Sequence, residues 1–213
     1  MRVLIADDHA IVRQGLRALI EKEPDMEVIA ETENGEQAVA RAKELAPDIV
    51  IMDMTMPLLN GIEATKFILR DNPNIRIIAL SMHSNSHIVK EALKAGALGY
   101  VLKSCLFDEL SRALHAVAAN THYLSPQIEN LVVEGYLNPS QDEAGSIELT
   151  ARERQILQLL VEGKSVKEIG IHLHISPKTA DATRRKMMNK LGITNLADLV
   201  RYAVREGLTS VEF

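Results

Sequence analysis

Over its first 120 residues the chain alternates short apolar runs with longer segments of helical period, and this rhythm constrains the fold more than any other feature. Runs near 2–6, 27–31, 48–52, 76–80 and 99–102 read as strands, and segments near 10–22, 35–45, 62–70, 86–95 and 107–119 read as helices. A strand reaches a parallel neighbour only through a crossover, and crossovers are almost always right-handed. Five βα units therefore predict an α/β fold: a five-stranded parallel sheet with helices on both faces.

Residues 121–149 break the rhythm. Ser125 and Pro126 look like the N-cap and first turn of a short helix to about Tyr136, and the following NPSQDEAGS has the polar, breaker-rich composition of a linker. Beyond it the pattern is helical throughout, with helices near 151–162, 166–173, 177–191 and 195–206. Thr150 with Glu153 and Ser165 with Glu168 have capping-box spacing, and Gly163, Gly192 and Gly207 sit where helices end. The expected organisation is a domain over 1–120, a linker with a short helix over 121–147, and a second, all-α four-helix domain over 148–213. With 213 residues, 46% of them hydrophobic, the chain can bury two cores.

A net charge of −5 argues against a nucleic-acid partner until it is divided along the chain. Residues 1–120 carry 13 Lys and Arg against 17 Asp and Glu, residues 121–147 carry 4 acids and no base, and residues 148–213 carry 11 bases against 8 acids. Within 164–190 the ratio is 7 to 2, the footprint of a phosphate-binding surface, although a solvated helix face gives a similar count. No apolar run approaches the roughly 18 residues of a membrane span, and Asp7 and Asp8 interrupt the place where a signal peptide would continue. The lone Cys105 forms no internal disulfide and no cysteine metal cage. A cytoplasmic protein is expected.

Open parallel sheets bind ligands beyond the carboxyl ends of their strands. Here Asp7 and Asp8 close the first strand, Asp53 the third, Ser81 the fourth and Lys103 the fifth. Each has a plainer reading alone, since strand-end Asp residues cap helices and Lys residues are solvated. Together they make three carboxylates that would repel one another unless a cation intervened, and such oxygen ligands suit Mg²⁺. Phosphoryl transfer needs an acceptor, a metal and further cationic and donor groups. Asp53 would be the nucleophile, Asp8 a direct metal ligand, Asp7 an outer or second ligand, Lys103 the cationic clamp and Ser81 a hydroxyl donor.

In LIADDH, IVIMDMTMPLLNG, IIALSMHS and GYVLKS the chain closely resembles the receiver domain of two-component response regulators, across essentially all of residues 1–120. The resemblance implies a doubly wound sheet in the order 2-1-3-4-5, phosphorylation of Asp53 by a sensor histidine kinase, and the backbone carbonyl of Thr55 as third protein ligand to Mg²⁺. It makes Ser81 and Tyr100 a switch pair: the hydroxyl moves toward the phosphoryl group and the ring turns inward, biasing a two-state surface around the fourth helix and fifth strand. Thr55 and His83 would set the lifetime of the acyl phosphate. Ser104 stands where the family usually has proline, which leaves the peptide geometry after Lys103 open. His9 reads as a helix start rather than a metal ligand, and Met52, Met54 and Met56 as packing.

The segment SVKEIGIHLHISPKTADATRRKMMNKLG reads as a short capped helix, a turn at about His174–Ser176 and a second helix capped by Ser176 and Pro177. Gly170 supplies the small residue that two closely packed helices need. Ala180, Thr183, Met187 and Leu191 share one stripe, and Lys178, Asp181, Ala182, Arg185 and Asn189 share another that a major groove would see. His172 and His174 have no metal-binding spacing on a helix followed by a turn.

This half resembles the LuxR-type helix-turn-helix, and the two domains in this order resemble the NarL/FixJ family, through LTARERQILQLLVEGKSVKEI and ISPKTADATRRKMMNKLGI over about 148–206. The resemblance implies base reading by Asp181, Ala182 and Arg185 and phosphate contacts by Lys167, Lys178, Arg184 and Lys186, with Thr179 also at the interface. It implies double-stranded DNA as partner and a homodimer when phosphorylated or DNA-bound. Ala180, Asp181 and Thr183 depart from the family's usual residues and leave the target sequence open, and the plainer reading of Asp181 is that it caps the helix or pairs with Arg184 or Arg185 on its surface.

The expected function is thus a phosphorylation-controlled transcriptional regulator rather than a turnover enzyme. A haloacid-dehalogenase-type phosphatase would need an acid where Thr55 stands. A phosphorylation-independent DNA-binding protein that keeps its receiver for dimerisation is the remaining alternative.

Overall fold

The computed structural model describes residues 1–82, 84–137 and 149–209, the side chains at 105–108 and 134–137 excepted. His83 and the breaker-rich stretch at 138–148 lie outside the described residues. The chain divides into two compact units, Met1–Pro139 and Ser140–Phe213.

In the first unit the strands β1 (Arg2–Ala6), β2 (Glu27–Thr32), β3 (Ile49–Asp53), β4 (Arg76–Ser81) and β5 (Gly99–Leu102) alternate with helices α1 (Ala10–Ile20), α2 (Gly35–Leu45), α3 (Gly61–Asp71), α4 (Ser86–Lys94) and α5 (Leu106–Ala118). These strands pair in parallel in the order β2-β1-β3-β4-β5. Successive strand residues face opposite ways, which gives the unit two cores. Val3, Ile5, Ile49, Ile51, Ile78 and Leu80 pack on Leu16 and Ile20 of α1 and on Leu110 and Leu114 of α5. Leu4, Val50, Met52, Ile77 and Tyr100 face the other way, against Ala38 of α2, Ile68 of α3 and Val89 of α4. Met52, Met54 and Met56 are packed in that second core, as expected.

The sheet has six strands where five are expected. Tyr123–Leu124 forms a two-residue β6 beside β5, with Tyr123 N–H donating to Leu98 O at 3.0 Å and Ser125 N–H to Tyr100 O at 2.9 Å. A pair of residues is too short to display a period, so the sequence pattern misses it. The short helix α6 (Pro126–Leu137) then places fully buried Ile128 in the core that holds Val89 and Tyr100. The first unit thus runs past residue 120, and this part of the expected linker is folded. Ser125 uses its carbonyl to accept the Ile128 and Glu129 N–H groups, but its buried hydroxyl accepts from Leu102 N–H at 3.2 Å and donates to the Glu109 carboxylate. Strand anchoring takes the place of the side-chain cap.

The second unit consists of α7 (Ala151–Val161), α8 (Val166–His172), α9 (Pro177–Leu191) and α10 (Leu196–Arg205) around Leu149, Leu157, Met187, Leu199, Ala203 and Leu208. Both capping boxes form, each cap contributing about 1 kcal/mol, and Gly163, Gly192 and Gly207 have positive φ at the helix ends. The α8–α9 turn passes through His174 at φ 53°. A Cβ on Gly170 would sit 2.9 Å from the Ile175 carbonyl oxygen, so the turn closes only over glycine. Among the described residues, no helix is long and apolar enough to cross a membrane.

Candidate functional site

The parallel sheet brings the ends of β1, β3, β4 and β5 to one edge, and with them the expected set. Asp53 and Asp7 are fully buried. Lys103 Nζ lies 2.7 Å from Asp53 Oδ2 and 2.8 Å from Asp7 Oδ2, bridging two strands. Thr55 N–H donates to Asp53 Oδ1 at 3.2 Å. Lys103 itself starts a single 3-10 turn, Lys103–Cys105, which leads through Ser104 into α5.

Burial pushes the Asp53 carboxyl up to about 7; Lys103 pulls it down and Asp7 pushes it further up. Burial alone would lower the Lys103 ammonium, yet Asp53 and Asp7 hold it above its ordinary value. One lysine thus serves two buried acids, while Asp8 stands at the mouth with a third of its side chain exposed.

Asp7, Asp8, His9 and Asp53 each offer a ligand atom, all within 4.8 Å of one another. Asp7 Oδ2 is buried and, although close to Lys103, makes no well-directed hydrogen bond. A buried carboxylate oxygen of this kind, in an oxygen-rich set, fits a hard divalent cation. His9 is the N-cap residue of α1, but its Nδ1 also lies 2.7 Å from Asp8 Oδ1, so the ring belongs to the pocket as well as to the helix start.

Ser81 and Tyr100 are both fully buried, and Tyr100 is in hydrogen-bond contact with the Ser81 hydroxyl. Burial raises the Tyr100 phenol to about 12, with the Ser81 bond opposing. The ring is turned inward, into the core shared with α4 and α6.

Two supporting residues escaped the sequence reading. Gly61 begins α3 behind Asp53, where a Cβ would meet the Asp53 carbonyl oxygen at 2.0 Å. Arg13 is buried in α1, and its Nη1 donates to the Asp7 carbonyl at 2.7 Å. The signal was present: position 13 shares the inward stripe of Leu16 and Ile20, where a charge needs a partner.

In the second unit Lys167 is exposed on α8, and Lys178, Thr179, Ala182, Arg185 and Lys186 are exposed on α9. The Thr179 hydroxyl lies 2.8 Å from Ser176 Oγ at the start of α9. Asp181 is engaged on both oxygens: Oδ1 accepts from Arg184 Nη2 at 2.7 Å and Nε at 3.1 Å, and Oδ2 lies 2.8 Å from Arg185 Nη2. Arg184 also lines a cavity of about 390 Å³ with Leu160, Lys164, Met188 and Leu196. Ala180 and Met187 are buried as expected, whereas Thr183 is half-buried and turns its hydroxyl back to the Thr179 carbonyl at 2.9 Å.

Comparison with known proteins assigns both halves. The response regulator receiver domain matches residues 3–115, and the bacterial regulatory proteins of the luxR family match residues 148–203. The response regulator UvrY of Escherichia coli strain K12 is 34% identical over 212 residues, covering 100% of this chain and 97% of UvrY. The chain is a response regulator of the NarL/FixJ family. The response regulator GacA of Pseudomonas protegens is 35% identical over 208 residues, 98% of this chain and 97% of GacA. RcsB from Salmonella enterica serovar Typhimurium, solved bound to promoter rprA with the phosphomimetic BeF3-, is similar with a TM-score of 0.65 and 31% identity over 95% of this chain and 97% of RcsB. This response regulator therefore joins a receiver to a LuxR-type DNA-binding domain, and its function is phosphorylation-controlled regulation of transcription.

Proposed function

We propose that this response regulator accepts a phosphoryl group on Asp53 from a sensor histidine kinase and answers by binding promoter DNA through α9. The observation that carries the reading is the Lys103 ammonium between Asp53 and Asp7, at 2.7 and 2.8 Å. Asp7, Asp8, Asp53 and the Thr55 carbonyl would hold Mg²⁺, which supplies positive charge for the phosphoryl oxygens and favours ionised Asp53. An Asp53 carboxylate oxygen attacks phosphorus, and the bond from phosphorus to the donor nitrogen breaks as the new P–O bond forms. Lys103 and the Ser81 hydroxyl take up charge on the transferred oxygens. Ser81 and Tyr100 form the switch, because a phosphoryl group that draws on the Ser81 hydroxyl competes with its contact to Tyr100.

On DNA, Arg185 reads a base edge together with Ala182 and Asp181, while Lys167, Lys178, Thr179, Arg184 and Lys186 hold the backbone. One short helix reads too few bases, so two copies are expected on paired half-sites. RcsB has been solved as two dimers bound to two parallel DNAs. Labelling with acetyl phosphate tests the pocket: wild type should be labelled in Mg²⁺ and not in EDTA, and Asp53→Asn in neither. Equal labelling of the mutant overturns the assignment.

A further inference from the structure

We propose that Arg13 is a positioning residue for the divalent cation of the acidic pocket, holding the Asp7–Asp8 turn without touching the ion; the inference rests on the Mg²⁺ reading above. The turn is fixed from several sides. Asp7 N–H donates to Thr32 O at 3.1 Å, joining it to β2, and Asp7 Oδ1 accepts from His9 N–H at 2.9 Å. The Asp7 carbonyl accepts Arg13 Nη1 at 2.7 Å. The second arm of the same guanidinium donates to Glu33 Oε1 at 2.8 Å, just after β2, and Nε lies 3.6 Å from Glu31 Oε2. One planar group thus ties α1 to the end of β1 and to the segment leaving β2. What remains of Asp7 is Oδ2, which faces Asp53 and Lys103.

The two glutamates offset the guanidinium charge, so Arg13 acts on the pocket through position rather than through potential. Lysine cannot replace it fully, because a point ammonium does not serve two partners in the fixed directions of a guanidinium. Groups that orient metal ligands from behind typically cost 10- to 100-fold in metal affinity when removed.

The test is calorimetric titration of the full-length protein with Mg²⁺ alone, without phosphodonor. Wild type is compared with Arg13→Met, Arg13→Lys, Glu33→Gln and Arg17→Met. Arg17 lies on the same helix as Arg13 and pairs with Glu21 and with Glu31 of β2, but makes no bond to the turn. The Mg²⁺ Kd should rise about 10-fold or more in Arg13→Met, less in Arg13→Lys and Glu33→Gln, and not in Arg17→Met. Acetyl phosphate labelling of the Arg13 variants at saturating Mg²⁺ should stay within about twofold of wild type, a split between affinity and rate that general unfolding would not give. A wild-type Kd in Arg13→Met overturns the proposal. If that variant does not fold, a wild-type Kd in both Arg13→Lys and Glu33→Gln overturns it. A wild type that binds no Mg²⁺ fails the reading of the pocket itself.

Discussion

The acidic pocket and the recognition helix both rest on carboxylates paired with basic side chains, yet they are built in opposite ways. The pocket gathers Asp7, Asp53 and Lys103 from three strands and buries them, with 6% or less of each side chain exposed. The helix carries Asp181, Arg184 and Arg185 within five residues and leaves the last 73% exposed. In the low dielectric of the pocket, the cost of charge is large and geometry decides the protonation state. On the helix, solvent and salt screen each pair to a few tenths of a kcal/mol, which DNA can readily replace. The receiver is therefore a site where small displacements matter, and α9 is a surface where total charge and side-chain reach matter.

The largest expected difference lies in pH dependence. Asp53 is raised from 3.8 to about 7, so the folded protein keeps a proton that the unfolded chain has released. Between about pH 4 and pH 7 unfolding loses that proton, and the stability of the Mg²⁺-free protein should fall as pH rises. The slope from this group approaches about 1.4 kcal/mol per unit and vanishes above pH 7 and below pH 4. Urea unfolding in EDTA should show this decline in wild type, and its absence in Asp53→Asn; identical profiles would count against the burial argument.

Next in size is Gly61→Ala. Its Cβ would meet the Asp53 carbonyl oxygen at 2.0 Å, and relieving that contact moves the end of β3. Unfolding should cost on the order of 3 kcal/mol less than in wild type, with Mg²⁺-dependent labelling reduced at least as strongly. A stable, normally labelled variant would show that the backbone behind Asp53 is not held as tightly as described.

The recognition helix should give smaller, base-specific effects. Arg185→Ala should lose about 1–3 kcal/mol at one base position. Because Asp181 holds Arg185 in the DNA-free protein, two outcomes separate its roles. If it reads a base, sites selected from random DNA by Asp181→Ala relax at a position of their own; if it only steers Arg185, they relax at the Arg185 position alone. Unchanged sites would mean that it does neither. The smallest effect is Lys178→Ala, which should weaken binding to all sequences alike and reduce the salt slope by about one. A sequence-dependent loss would move Lys178 among the base readers.

The same contrast explains what was legible in the sequence. Strand ends announce themselves by the switch from an apolar run to a polar residue, so Asp7, Asp8, Asp53, Ser81 and Lys103 stood out before any geometry was known. Arg13 is marked only by its place on the inward stripe of α1, which says that it needs a partner but not which, because its partners are a backbone carbonyl and a glutamate 20 residues away that only the fold brings to it. β6 was lost for want of length, and the Ser125 hydroxyl was assigned to its own helix because its true partners, Leu102 and Glu109, are distant along the chain. On α9 the local period placed Lys178, Ala182, Arg185 and Asn189 on the exposed face and Ala180 and Met187 in the core, but it set half-buried Asp181 fully outward and half-buried Thr183 fully inward. Spacing left Asp181 either to read a base or to pair with Arg184 or Arg185, and the rotamers put both of its oxygens on those two arginines.

Phosphorylation of Asp53 should control DNA affinity. Fluorescence anisotropy on a selected operator, before and after stoichiometric phosphorylation with acetyl phosphate and Mg²⁺, tests it most directly. Phosphorylated wild type should bind more tightly than the unphosphorylated protein, and Asp53→Asn should be unmoved by the same treatment. Equal affinity of labelled and unlabelled wild type would contradict the account and leave the receiver as a dimerisation module alone.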